Sequence, residues 1–190
     1  YAALYGTYAG VYETGLRMDA TANSGTVTAT NVLYDINRFK DGRVTYTAAS
    51  TGEALGGYSA FGNTTTGNQL TVSGVTGTLA AAYGAQTAGT VGDSVNNTVT
   101  LAGTGTGSVT NVYGGAITNA ANGGNVTRNT VTLTGGKVTG AVYGGYTNGG
   151  GATTNNTVNL GADPTTLRQG DASTLATGTN FTAAELYGGN

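Results

Sequence analysis

Two unrelated short motifs recur along this chain at one shared period of roughly 30 residues, and a period of that size restricts the possible folds more than any other feature. The first motif is aromatic–glycine: Ala82-Tyr83-Gly84-Ala85, Val112-Tyr113-Gly114-Gly115, Val142-Tyr143-Gly144-Gly145 and Leu186-Tyr187-Gly188-Gly189, with a weaker copy at Ala54-Leu55-Gly56-Gly57. The steps from Leu55 to Tyr83, Tyr113 and Tyr143 are nearly equal, and only the step on to Tyr187 is much longer. The second motif is Asn68-Gln69-Leu70-Thr71-Val72, Asn97-Thr98-Val99-Thr100-Leu101, Asn129-Thr130-Val131-Thr132-Leu133 and Asn156-Thr157-Val158-Asn159-Leu160. Its asparagines keep the same period to within a few positions. A unit of this size cannot bury its apolar face alone, whereas stacked copies cover one another.

The second motif alternates with period two, so Asn129, Val131 and Leu133 face one way and Thr130 and Thr132 the other. Lys137-Val138-Thr139, between Gly135-Gly136 and Gly140, also reads as strand. Residues 54–160 carry no helical apolar stripe, and Thr, Val and Gly all disfavour helix. The expected fold is therefore all-β, a parallel β-helix or β-solenoid of about six irregular coils, each about 30 residues long. Strands of successive coils would pair in parallel, so that like residues form ladders. Val99, Val131 and Val158 would make one internal ladder, Leu101, Leu133 and Leu160 another, and Asn97, Asn129 and Asn156 an amide ladder bonding coil to coil. The ladder asparagines are also expected to accommodate turn conformations. The Gly pairs are expected at corners, with positive φ or close backbone approach.

Charge divides the chain into three parts. Residues 54–160 contain only Asp93, Arg128 and Lys137, whereas 13–53 contain nine charges, from Glu13 through Arg43 to Glu53. In an in-register ladder a repeated charge would sit beside its own copy, so a neutral Thr/Asn surface suits stacking. Residues 1–53 are expected to be a diverged, more charged end of the solenoid, within which 27–36 reads as strand. Residues 54–160 are the regular repeats, and 161–190 a loop insertion over Gly161 to Asn180 followed by a terminal half-repeat. The near-identity of Ala3-Leu4-Tyr5-Gly6 and Glu185-Leu186-Tyr187-Gly188 suggests a segment of a longer array with open ends, meeting either another copy or a continuing array.

Several function classes fit the composition poorly. Cys and His are both absent, which removes thiol and imidazole chemistry, disulfides and the usual zinc ligands. Seven Lys and Arg in 190 residues make no basic stripe for nucleic acid. No apolar run reaches the ~20 residues that span a bilayer as helix. Asp163 and Asp171 flank Pro164, but two carboxylates are too few for a calcium site. The charged cluster Glu13 to Arg43 reads as a solvated end rather than a catalytic constellation. The expectation is no enzyme activity, no cofactor and no metal.

The units Asn125-Val126-Thr127-Arg128-Asn129-Thr130-Val131-Thr132-Leu133-Thr134-Gly135-Gly136 and Val142-Tyr143-Gly144-Gly145-Tyr146 resemble repeats of autotransporter-type surface proteins of Gram-negative anaerobic bacteria. The resemblance covers residues 54–160. It implies a secreted, β-helical passenger segment at the bacterial cell surface, acting as stalk or adhesin, with a host-cell glycan or protein receptor as partner. Coils shorter than the period seen here are commoner in that family. Two repeated features are candidates for binding. Tyr83, Tyr113, Tyr143 and Tyr187 either stack on one another at a corner or present rings to sugars. Thr98, Thr100, Thr130, Thr132 and Thr157 project outward in an array that could order water and bind ice, although Gln69 and Asn159 interrupt it. A self-assembling fibre subunit that stacks end to end is the remaining alternative.

Overall fold

The computed structural model describes residues 3–5, 8–9, 27–30, 43–46, 52–60, 62–75, 77–161, 165–167, 172–177 and 181–190. The chain is all-β, a parallel β-solenoid that keeps the period of the sequence motifs in its coils. Three faces are built by strands that pair with their counterparts one coil away. The tyrosine face runs through Ala3–Tyr5, Gly52–Leu55, Thr78–Tyr83, Ser108–Ile117, Ala141–Thr147 and Phe181–Tyr187. The threonine face runs through Arg43–Tyr46, Gln69–Val72, Thr98–Leu101, Thr130–Leu133 and Thr157–Leu160. A narrow third face joins Thr65–Thr66, Ser94–Val95, Val126–Thr127 and Thr153–Thr154. The third face has four strands, so four coils are complete among the described residues and the expected six is too many.

The ladders predicted from spacing are present. Val99 pairs with Val131 and Val131 with Val158, while Leu101, Leu133 and Leu160 follow in the same register. They meet Ala82, Val112, Val142 and Leu186 from the tyrosine face, and these inward side chains form one thin core. Leu70, Val99, Val131, Leu133 and Val142 are at most 1% exposed, which puts the apolar ladders out of reach of water. Burial at ~25 cal/mol per Å² makes this core the main driving force for stacking. Lys137 joins the short strand Gly136–Lys137, and Val138 bridges Val109.

One local expectation needs correction, and a second resolves into one of its two alternatives. The ladder asparagines do not carry the turn. The left-handed residue is the one before each of them: Gly67 (φ 70), Asn96 (φ 54), Arg128 (φ 57) and Asn155 (φ 56). That residue turns the chain out of the third face and leaves the following Asn free to point inward. The Tyr-Gly glycines serve close approach rather than positive φ. A Cβ on Gly84 would meet the Gly114 carbonyl oxygen and Thr98 backbone atoms at 2.9 Å, and Gly114 and Gly144 repeat the arrangement one coil further on.

The ends also differ from expectation. Thr165–Leu167 pairs antiparallel with Thr157–Leu160, and Ala172–Thr177 pairs antiparallel with Phe181–Tyr187. The expected loop insertion thus contributes two strands. At the other end Val27–Thr30 is no coil of its own but pairs antiparallel with Arg43–Tyr46. Residues 31–36, Asp163, Asp171 and most of the Glu13 to Arg43 cluster lie outside the described residues.

Candidate functional site

Since inward positions on the tyrosine face hold Ala82, Val112, Val142 and Leu186, the next residue of each strand faces out. Tyr83, Tyr113, Tyr143 and Tyr187 therefore form an external rib, which settles the direction that sequence left open. Their rings are stacked, with centroids 4.7 Å apart for Tyr83–Tyr113, 5.1 Å for Tyr113–Tyr143 and 5.0 Å for Tyr143–Tyr187. Planes tilt by only 5–8°. The spacing is that of parallel strands, so the backbone register sets the stack. Tyr146 closes onto the rib, edge-on to Tyr113 at 5.5 Å and tilted against Tyr143 at 5.3 Å. Leu55 continues the column below Tyr83. Both faces of Tyr113 and Tyr143 are thus covered by neighbouring rings. A sugar could meet the hydroxyl edge of the rib but could not stack on these two.

Two carboxylates border the rib. The Tyr83 hydroxyl hydrogen-bonds Glu53, and the Tyr187 hydroxyl donates to Glu185 Oε2 at 3.0 Å. Tyr83, only 6% exposed, is held far above the usual phenol range by burial first and by the Glu53 charge second. Burial, followed by the neighbouring Tyr143 and Tyr146 hydroxyls, raises Tyr113 to about 12. Tyr143 is raised mainly by burial, and Tyr187 mainly by its bond to Glu185. Partial burial also raises Glu53. The rib is therefore a row of neutral hydroxyls at ordinary pH.

The asparagine ladder lies inside. Asn97 Nδ2 donates to Asn129 Oδ1 at 3.0 Å, and Asn129 Nδ2 to Asn156 Oδ1 at 3.0 Å. The same oxygens accept the Asn97 and Asn129 backbone N–H groups, each at 2.9 Å. Asn68 joins from below through Asn97 Oδ1. The second Nδ2 hydrogen finds a main-chain carbonyl of the third face, Thr65 for Asn97, Ser94 for Asn129 and Val126 for Asn156. The bonds that link Asn68, Asn97, Asn129 and Asn156 run in one direction along the stack, so the ladder fixes both register and polarity.

Sequence reading missed a second polar group in the interior. Thr65, Thr87 and Ser94 are fully buried and share hydroxyl hydrogen bonds at 3.0 and 3.2 Å. One coil on, Ile117 and Val126 hold the positions equivalent to Thr87 and Ser94. With no copy in every coil, this cluster gave no periodic signal. Asn122 was missed for the same reason, and it ties Gly89, Gly92 and Gly124 together at a corner.

The threonine face presents two columns of partly exposed side chains. Thr98, Thr130 and Thr157 follow Gln69, and Thr45, Thr71, Thr100 and Thr132 precede Asn159. Adjacent residues lie ~4.8 Å apart across strands and ~6.6 Å apart along them. Among the described residues, no three His, Cys, Asp or Glu side chains come together as a metal site, and no helix is long and apolar enough to cross a membrane. No protein-family model, curated protein or solved structure matches the chain.

Proposed function

We propose that this chain is an extracellular structural and adhesive segment of a bacterial surface protein, a stalk or adhesin that acts through its repetition. One observation carries the reading: each repeated side chain makes its main contact with its own copy one coil away. Tyr stacks on Tyr, Asn bonds Asn, and Val and Leu pack on their equivalents. Such an arrangement spreads tension over parallel hydrogen bonds. The near-neutral Thr/Asn exterior suits a segment exposed to changing salt. The partner on this reading is a host-cell glycan or protein receptor met at the tyrosine rib's hydroxyl edge, near Glu53 and Glu185.

Force spectroscopy of the chain held between two handles tests the structural part. Coils peeling one at a time would give contour increments of about 100 Å, since extended residues span ~3.4 Å each. Smooth extension without unfolding peaks would rule out a stalk. Binding of the purified chain to immobilised mucin glycans or to cultured host cells tests the adhesive part. That binding should fall when Tyr143 and Glu185 are replaced, and no binding to either surface would count against an adhesin.

The regular Thr columns favour one second reading, ice binding. It predicts thermal hysteresis that is lost in Thr100→Lys/Thr132→Lys. Freezing-point behaviour no different from a control protein would exclude it.

A further inference from the structure

Parallel stacking leaves every solenoid with a problem at its last rung. The final strand offers a row of unpaired N–H and C=O groups to any strand that fits. Here the terminal rungs are unusually inviting. Thr157–Leu160 and Phe181–Tyr187 carry the same Val, Leu and Tyr columns as the rungs beneath them. A like strand laid on top would continue each ladder in register and would bring no repeated charge against its copy except Glu185.

The chain itself occupies these edges. Leu167, Thr166 and Thr165 pair with Val158, Asn159 and Leu160, and Ala172 to Thr177 pair with Tyr187 back to Thr182. Both strands run antiparallel to the rung they cover, while the wide faces are parallel throughout their interior. At the opposite end Val27–Thr30 covers Arg43–Tyr46 in the same sense. Reversal matters because an antiparallel strand takes up the edge hydrogen bonds without reproducing the Asn, Val or Tyr columns. The ladder stops there.

From this placement we propose that the upper rungs Thr157–Leu160 and Phe181–Tyr187 form an association surface for a second copy of this chain, and that Thr165–Leu167 and Ala172–Thr177 are caps holding it closed. The long step between Tyr143 and Tyr187 has a simple origin on this account. Both cap strands, Thr165–Leu167 and Ala172–Thr177, lie within that step and lengthen it.

The test removes the caps and keeps the rung. Deleting residues 164–180 leaves Leu160 eight positions before Glu185, matching Leu133 and Ala141, their partners one coil below. The expected result is a monomeric parent and a deletion variant that forms dimers or larger species with rising concentration, seen by size-exclusion chromatography with light scattering. Amide exchange should stay slow in Phe181–Tyr187 only in the associated form. A second variant, Thr166→Pro/Thr174→Pro, disturbs pairing in the caps without shortening the chain, and it decides the matter if the deletion variant does not fold. Its expected behaviour is the same association. The proposal is overturned if the parent already associates through this edge. It is equally overturned if either folded, uncapped variant remains a monomer across a hundredfold concentration range.

Discussion

The asparagine corner and the tyrosine rib are both columns of one residue type repeated at the strand spacing, yet they hold register by different physics. The corner is buried, polar and directional, each amide giving to the oxygen of the next coil. The rib is external and apolar in its contacts, and its stacked rings have no polarity along the axis. All four complete coils carry Asn at the corner, whereas the rib accepts Leu55 in place of Tyr. A buried amide without its partner leaves several groups unsatisfied, while a missing ring leaves only a gap that water can fill. The interior ladder therefore specifies the fold, and the exterior one adds to it.

Breaking the corner should have the largest effect. Asn129→Ala removes the acceptor of two Asn97 N–H groups and the donor to Ser94, so destabilisation of at least about 3 kcal/mol is expected in a denaturant titration. Tyr113→Ala interrupts two ring stacks and should cost about 2 kcal/mol. Tyr113→Leu should cost less than about 1 kcal/mol, because a branched aliphatic side chain already stands in this column at Leu55. If Tyr113→Ala proves costlier than Asn129→Ala, the ranking of the two ladders is wrong.

Alkali should attack the rib alone. A phenol whose folded pKa is raised favours the protonated, neutral state in the fold. Its stabilisation is full below the unfolded value near 10 and is lost as pH rises through the folded value, about 12 for Tyr113 and higher for Tyr83. Absorbance at 295 nm should show a late ionisation near pH 12 that coincides with loss of the β-sheet circular dichroism signal. The smallest effect is a gain. Arg128 holds a left-handed backbone that Asn96 and Asn155 hold in neighbouring coils, so Arg128→Asn should stabilise by about 0.5 kcal/mol, read as a small rise in melting temperature.

Much of the architecture was legible because repetition writes each contact twice. The period of Asn97, Asn129 and Asn156 located one face, that of Tyr83, Tyr113 and Tyr143 another, and alternation in Thr130-Val131-Thr132-Leu133 gave the inward side. What was missed lies where repetition fails. Nothing in the sequence pairs Thr165–Leu167 with Thr157–Leu160, since that contact occurs once. Tyr5 pairs with Leu55 across a stretch of sequence too long to be seen as the same period. The Thr65, Thr87 and Ser94 cluster lies in columns where Ile117 and Val126 replace hydroxyls one coil later. The turn residue before each ladder asparagine was hidden for another reason. Gly67, Asn96, Arg128 and Asn155 share a backbone angle but not a side chain.

In-register parallel pairing of successive coils underlies all the ladders, and a chain without cysteine lets it be tested by cross-linking. Thr100 and Thr132 are paired residues on the threonine face. Their Cα atoms should lie ~4.8 Å apart, within the range a disulfide spans. Thr98 and Thr132 are diagonal, at ~8 Å. Under mild oxidation Thr100→Cys/Thr132→Cys should close rapidly within one molecule, and Thr98→Cys/Thr132→Cys should remain reduced. Equal closure of the two pairs, or faster closure of the diagonal one, would contradict the register on which every ladder described above depends.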